Sequence, residues 1–324
     1  MRDNARVSTP KVFIDGHAGT TGLRIREYLG GRRDIDVLDI AEVDRKAPAV
    51  RKARLNDADL VILCLPDEAA VESVSMIEND ATRVIDASSA YRTDPSWVFG
   101  LPEMEPEQRT RIRDAKRVSN PGCYPQTVIL ALRPLIDGGL LRRDAPVTVH
   151  AVSGYTGGGK SLIEKWQDPD AKLLALAYEA PYAVDRVHKH VPEMHFYTGL
   201  EQAPFFEPAV GPFATGMRVQ IPVHAAMLTS GTDAAAVHAA LRDRYAGEPF
   251  VRVAPLRAAA LGERDLDPSA VDGTNAIELH VLANPAGHVL LVGLLDNLGK
   301  GAGGSAVQNL NLMLGLDEQA GLRA

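Results

Sequence analysis

Ser119-Asn120-Pro121-Gly122-Cys123-Tyr124-Pro125-Gln126 places one of only two cysteines in a tight Pro-Gly turn, directly before an apolar run. A packed cysteine ordinarily sits inside a strand or helix as a small hydrophobe. A turn presents it. A helix starting just after the turn would set the sulfur at the positive end of the helix dipole, where thiolate is favoured. The local motif leaves two readings open: a prepared nucleophile, and a buried thiol in a bend. A reactive thiol needs an acid/base partner. Val187-His188-Lys189-His190-Val191-Pro192-Glu193 supplies two imidazoles two residues apart. In extended chain they would point to opposite sides, one into a cleft and one into packing. No Cys-x-x-Cys or i,i+4 His pair accompanies them, so no metal is expected. Glu193 is placed to orient or charge-balance an imidazole. Cys64, inside the apolar run LVILCLP, reads as a core residue.

A second constellation is Gly16-x-x-Gly19-x-x-Gly22, between an apolar strand and a helical stretch. That context suits a dinucleotide: the first glycine allows the tight turn, the next lets backbone approach a pyrophosphate, and the last lets helix and strand pack closely. The spacing departs from G-x-G-x-x-G. Asp39 or Glu42 could take a ribose hydroxyl, whereas Arg45 and Lys46 could meet a 2′-phosphate. The residues alone do not choose. A rival from another class is Gly154-Tyr155-Thr156-Gly157-Gly158-Gly159-Lys160-Ser161, a full match to the phosphate-loop pattern G-x-x-x-x-G-K-[ST]. Against a nucleotidase, the segments after Ser161 do not alternate strand and helix as a parallel sheet requires.

These residues need elements to hold them. Short apolar strands alternate with helical stretches up to about residue 120, which predicts a doubly wound parallel sheet. From about Pro146 the runs VTVHAV, Met217–Ile221, Ala276–Leu282 and His288–Leu295 predict a mixed or antiparallel sheet. Asn284-Pro285-Ala286-Gly287 signals a hairpin between the last two. Ser305–Leu314 reads as an amphipathic helix that packs back on the first domain, and the tail after Leu316 is expected to fray. The fold class is therefore α/β plus α+β. The division is 1–122 for dinucleotide binding, completed by 301–324, and 123–300 for catalysis and dimerisation. With 324 residues the chain suits two domains. Its charge of −7 without a basic block argues against nucleic acid and anionic membranes. Two distant cysteines and an N-terminus without an apolar signal core predict a reducing, cytoplasmic setting.

The motifs together resemble the shorter-type N-acetyl-γ-glutamyl-phosphate reductases. The resemblance runs over nearly the whole chain, through DGHAGTTGL (Asp15–Leu23), DASSAYR (Asp86–Arg92), GLPEM (Gly100–Met104), SNPGCYPQ, SGYTGGGK, HKHVPE (His188–Glu193) and LLDNLGKGAGGSAVQNLNLMLG (Leu294–Gly315). It implies a Rossmann-type domain, NADP(H), an acyl-phosphate substrate and Cys123 as nucleophile. His188 becomes the acid/base, with His190 second, and Arg92 the phosphate contact. Gln126, Ser153, Gly154 and Glu193 fall on the substrate side. Gly16, Gly19, Thr20, Thr21, Gly22, Ser88, Ser89 and Asn297 fall on the cofactor side, and Lys300 becomes an anion contact. A homo-oligomer is expected. The alternatives are an aspartate-semialdehyde dehydrogenase or related acyl-phosphate reductase, the phosphate-loop nucleotidase, and a non-catalytic dinucleotide-binding sensor.

Overall fold

The computed structural model describes residues 9–257 and 260–324. Residues 1–8, most of the stretch read above as lacking a signal core, lie outside them. The first domain runs β1 (Lys11–Asp15), α1 (Thr20–Leu29), β2 (Asp36–Leu38), α2 (Pro48–Asp57), β3 (Leu60–Leu63), α3 (Asp67–Ser75), β4 (Arg83–Asp86), β5 (Val98–Phe99), α4 (Gln108–Asp114) and β6 (Arg117–Ser119). The six strands form one parallel sheet in the order β2-β1-β3-β4-β6-β5. Period-two alternation sorts its side chains. Val12, Ile14, Leu60 and Ile62 pack toward Ile25 of α1, whereas Phe13, Val61 and Leu63 pack toward Leu55 and Ala70. Strand order reverses between β1 and β3, and ligands of such sheets bind outside the strand ends at that point.

The second domain runs α5 (Cys123–Asp137), β7 (Thr148–Gly154), α6 (Gly159–Gln167), β8 (Ala180–Pro181), α7 (Val191–Thr198), β9 (Phe205–Gly211), β10 (Met217–Val223), α8 (Ala234–Arg244), β11 (Val251–Val253), β12 (Ile277–Ala283) and β13 (Val289–Leu295). Its seven strands form a mixed sheet, β11-β12-β13-β10-β7-β9-β8. One apolar core joins its inner face to buried residues of α5 and α8. The expected β12–β13 hairpin is present. β7 runs parallel to β9 but antiparallel to β10, and Lys160 after it is 80% exposed beside Glu164. The phosphate-loop nucleotidase lacks both its parallel sheet and its inward lysine.

A π-helical turn, Gly299–Gly303, follows β13 and leads into α9 (Gly304–Leu314). Helix α9 carries Ala306, Val307 and Leu310 into the core of the first domain. The tail does not fray. Leu316 and Leu322 pack against that core, Asn311 donates to the Glu318 and Ala320 carbonyls, and the Asn275 amide donates to Arg323 O at 2.6 Å. The composition looked polar, but two leucines and a set of backbone partners were enough to dock it. Among the described residues no helix is long and apolar enough to cross a membrane.

Candidate active site

Cys123 is the first residue of α5, with Gly122 as an N-cap that contributes no side chain. Two side chains, Glu193 and Arg92, hold its turn from below. Glu193 Oε2 accepts from the Gly122 amide at 3.0 Å, and Glu193 Oε1 accepts from Arg92 Nη1 at 2.7 Å. Arg92 also donates from Nε to Asn120 O and from Nη2 to Ala87 O. A Cβ on Gly122 would lie 2.6 Å from Arg92 Nη1 and from Glu193 Oε1, and 2.8 Å from His190 Nε2. Only glycine lets the buried ion pair and the imidazole close under Cys123. Arg92 is thus spent largely on the turn and Glu193 wholly so, although Arg92 still reaches the cleft wall. Burial raises the Glu193 carboxyl, against the pull of Arg92.

Burial at Cys123 opposes the thiolate that the helix start favours. Burial pushes the thiol up to about 11, and the Arg92 charge, the Tyr124 amide and the Lys189 charge offset only part of this. The helix start helps the thiolate, but desolvation of the sulfur is the larger effect. Cys64 is raised further by burial beside Asp86 and Asp15, in keeping with an inert core thiol.

The two histidines are not splayed. His190 is the N-cap of α7, so the chain turns here, and the two rings lie 4.7 Å apart at 71°. The His190 amide donates to His188 Nδ1 at 3.1 Å. That bond assigns the proton of the neutral His188 ring to Nε2, which faces the Tyr182 hydroxyl at 3.5 Å. Tyr182 in turn donates to or accepts from Tyr124 across 3.3 Å. Burial, with the charges of Lys189, Arg186 and Arg92, lowers His188 to about 4. Burial also holds His190 well below the usual imidazole value, and its Nδ1 has no partner among the described residues. Both rings are neutral bases near pH 7.

A cleft of about 780 Å³ joins these groups across the two domains. Cys123, His188, His190, Arg92, Ser153, Gly154 and Asn297 line it, together with Thr20 and Thr21 of α1. Asn297 is held by the Gly216 amide and donates to Thr156 Oγ1, which sets the glycine turn before α6 as one wall. Two expected contacts are not formed there. Gln126 is fully buried behind Cys123, donating to Lys300 O at 2.7 Å, with its Oε1 3.1 Å from Ser305 Oγ. One helical turn past Cys123, its side chain points into the protein rather than the cleft. Lys300 is fully buried and donates to Glu103 Oε1 at 2.7 Å, so it meets no anion from solvent. The reading of the residues missed Lys189 and Tyr182, which also line the cleft. Lys189 sat between the two histidines, and that position was its only signal.

The glycine loop fits a dinucleotide. Gly16 has φ +88°, and a Cβ there would meet Cys64 O at 2.3 Å. A Cβ on Gly22 would lie 2.5 Å from Gly16 O. These two glycines pull the loop against β3 and close onto α1. Gly19, the α1 N-cap, has no side chain over the first-turn amides, and no acidic residue sits in that turn. The amides stay available to a phosphate. Ser88 Oγ bonds Asp86 and Ser89 bonds Asp67, so these serines shape the edge beside the cleft. Asp39 pairs with Arg26, and Glu42 with Arg45, so neither charge stands alone at the end of β2.

Residues 11–112 match the family model "Semialdehyde dehydrogenase, NAD binding domain", and residues 123–297 match "Semialdehyde dehydrogenase, dimerisation domain". The N-acetyl-gamma-glutamyl-phosphate reductase 2 of Nostoc sp. is 48% identical over 98% of this chain and 100% of its own length. The N-acetyl-gamma-glutamyl-phosphate reductase of Burkholderia cenocepacia is 49% identical over 97% and 100%. Among solved structures, aspartate semialdehyde dehydrogenase II of Vibrio cholerae, complexed with ASA, superimposes with TM-score 0.69 at 18% identity over 94% of this chain and 98% of that one. The Candida albicans aspartate semialdehyde dehydrogenase with NADP gives 0.63 at 13% over 95% and 99%. The fold is shared with both structures, and the sequence relatives are far nearer. The chain belongs to the semialdehyde dehydrogenase family and, within it, to the N-acetyl-gamma-glutamyl-phosphate reductases.

Proposed function

We propose that the protein reduces N-acetyl-γ-glutamyl phosphate to the 5-semialdehyde, releasing phosphate, with NADPH as reductant and Cys123 as covalent nucleophile. The observation that carries the reading is Cys123 at the start of α5, in one cleft with two neutral imidazoles and the glycine-loop helix. Cys123 Sγ attacks the acyl carbonyl, its proton goes to an imidazole, the carbonyl–oxygen bond to phosphate breaks, and a thioester remains on the enzyme. A thioester accepts reduction where a carboxylate does not. When bound, the nicotinamide supplies that two-electron reduction. Aldehyde release then returns the sulfur as thiolate, which takes the proton back. His188 carries the proton once its Nδ1 is released from the His190 amide, and His190, whose Nδ1 has no partner among the described residues, is the second base. Gly16, Gly19, Thr20, Thr21 and Gly22 hold the pyrophosphate, Ser88 and Ser89 shape that edge, and Asn297 stands on the nicotinamide side. Ser153 and Gly154 face the substrate, Arg92 receives phosphate at the floor, and Glu193 tethers Arg92. The division of labour is 1–122 with 301–324 for the cofactor and 123–300 for catalysis and assembly. The enzyme works as a homo-oligomer in the cytoplasm, within arginine biosynthesis.

The test runs the reaction backwards. N-Acetylglutamate semialdehyde, NADP⁺ and inorganic phosphate should form NADPH, read by its near-ultraviolet absorbance, only when phosphate or arsenate is present. Cys123→Ala should abolish it. Turnover of aspartate semialdehyde instead would keep the chemistry and replace the substrate.

A further inference from the structure

Glu103 and Lys300 are both fully buried, far apart in sequence, and neither takes part in the chemistry above. Lys300 Nζ donates to Glu103 Oε1 at 2.7 Å and to Gln308 Oε1 at 2.5 Å, and Gln308 Nε2 closes the triangle on Glu103 Oε1 at 2.9 Å. The Phe250 ring lies 5.6 Å from the ammonium. Burying two charges is costly, and such a pair adds little net stability over apolar residues of equal volume. What it adds is direction: fixed donors and acceptors set where one stretch of backbone must sit.

That stretch is the π-helical turn Gly299–Gly303, closed by Gly301 N to Asp296 O at 2.9 Å and Gly303 N to Leu298 O at 3.0 Å. Turns of this kind are marginal on their own. The carbonyl of Lys300 accepts from Gln126 Nε2, on the helix that Cys123 begins, and from Ser305 Oγ. The next residue, Gly301, stands so close to the nucleophile that a Cβ on it would be 3.0 Å from Cys123 Cβ. Leu298, Gly301 and Ala302 form the cleft wall beside the sulfur. The ion pair therefore grips one side of the turn while the other side covers Cys123.

We propose that Glu103 and Lys300 are positioning residues: their buried pair locks the π-helical turn against Cys123 and so sets both the seclusion and the aim of the nucleophile. This rests on Cys123 as the nucleophile. It joins the GLPEM and NLGKGAGG segments into one device.

Two variants test it. Lys300→Met/Glu103→Leu replaces the pair with apolar bulk. Gln126→Met cuts the tie between the turn and the cysteine helix while Ser305 still satisfies the Lys300 carbonyl. Each is checked for folding by circular dichroism. Alkylation of the Cys123 peptide by iodoacetamide is timed by mass spectrometry, and kcat and KM are measured in the phosphate-dependent assay. Loosening the wall admits water to the sulfur, so alkylation at neutral pH should quicken by about fivefold or more. Misalignment should lower kcat by about tenfold or more, with KM changed by less than about threefold. General destabilisation would quicken alkylation of Cys64 as well, so Cys64 should keep its wild-type rate while Cys123 reacts faster and turnover slows. If the double variant fails to fold, Gln126→Met alone decides. Wild-type kcat or a wild-type alkylation rate in a folded variant overturns the proposal. A wild type silent in the assay, with variants still quickened in alkylation, overturns the reductase reading and leaves the positioning role standing.

Discussion

Cys123 and His188 line one cleft, and both are uncharged near neutral pH. With the thiol pushed up to about 11 and the imidazole lowered to about 4, both are neutral across the whole range between. On the proposed mechanism, the thiolate forms only as Cys123 passes its proton to a neighbouring base. Iodoacetamide alkylation of Cys123 in the free enzyme should therefore keep rising above pH 9 toward about 11. A plateau below about 8.5 would mean a pre-formed thiolate. His188→Gln should lower kcat by about 10²- to 10⁴-fold while the fold persists. The same imidazole links stability to pH. Its folded value lies below the ordinary 6.5, so between about 6.5 and about 4 the unfolded chain binds the extra proton. Stability from this group is present above 6.5 and is lost as pH falls toward 4. The urea midpoint should fall over that window in the wild type and fall less in His188→Gln. An equal decline in both would assign it to other groups.

At the scale of elements, the site depends on how closely α5 can approach the mixed sheet. The contact is Gly293 of β13, where a Cβ would stand 2.1 Å from Thr127 Cγ2, one helical turn beyond Cys123. Gly293→Ala should cost about 1–3 kcal/mol by overpacking, read from the urea midpoint. Thr127→Ala in the same chain should recover most of that loss, and an additive result would deny the contact. The glycine loop makes a parallel case on the cofactor side. Gly22→Ala puts a methyl into the Gly16 carbonyl and the His17 backbone. NADPH binding by fluorescence should weaken at least about tenfold, because the amides at the start of α1 lose their common aim.

At the scale of the molecule, the two domains share their ends. The chain leaves the first sheet at Ser119, builds the second, and returns through α9 to pack with α1 and α4 of the first. Arg109 of α4 binds Glu248 of the second domain and Glu318 of the tail together. Desolvation opposes its charge, but the two carboxylates outweigh it and raise its pKa. Removing residues 317–324 should therefore reach beyond the terminus. It strips Asn311 and Arg109 of partners, and about 2–4 kcal/mol of stability should go with it. An unchanged melting temperature in the truncated protein would show the docked tail to be dispensable.

The amino-acid sequence by itself determined the elements and the names of the parts. Short apolar runs became the parallel sheet, Asn284–Gly287 became a hairpin turn, and the turn at Cys123, Thr20 and Thr21 of the glycine loop and the His-x-His run all reached one cleft. These are local signals, carried by residues a few positions apart. Tertiary structure decided the rest, because each remaining question depended on residues distant in sequence. Whether Cys123 is a thiol or a thiolate is set by desolvation, not by the helix it starts. Whether Lys300 meets an anion or Glu103 depends on a carboxylate on the other domain. Gln126 faces the interior because the π-helical turn stands behind α5, and His188 lies against His190 because the chain turns at His190 to begin α7. Local pattern names an element. Burial and charge belong to the packed whole, since both are sums over neighbours that only folding brings together.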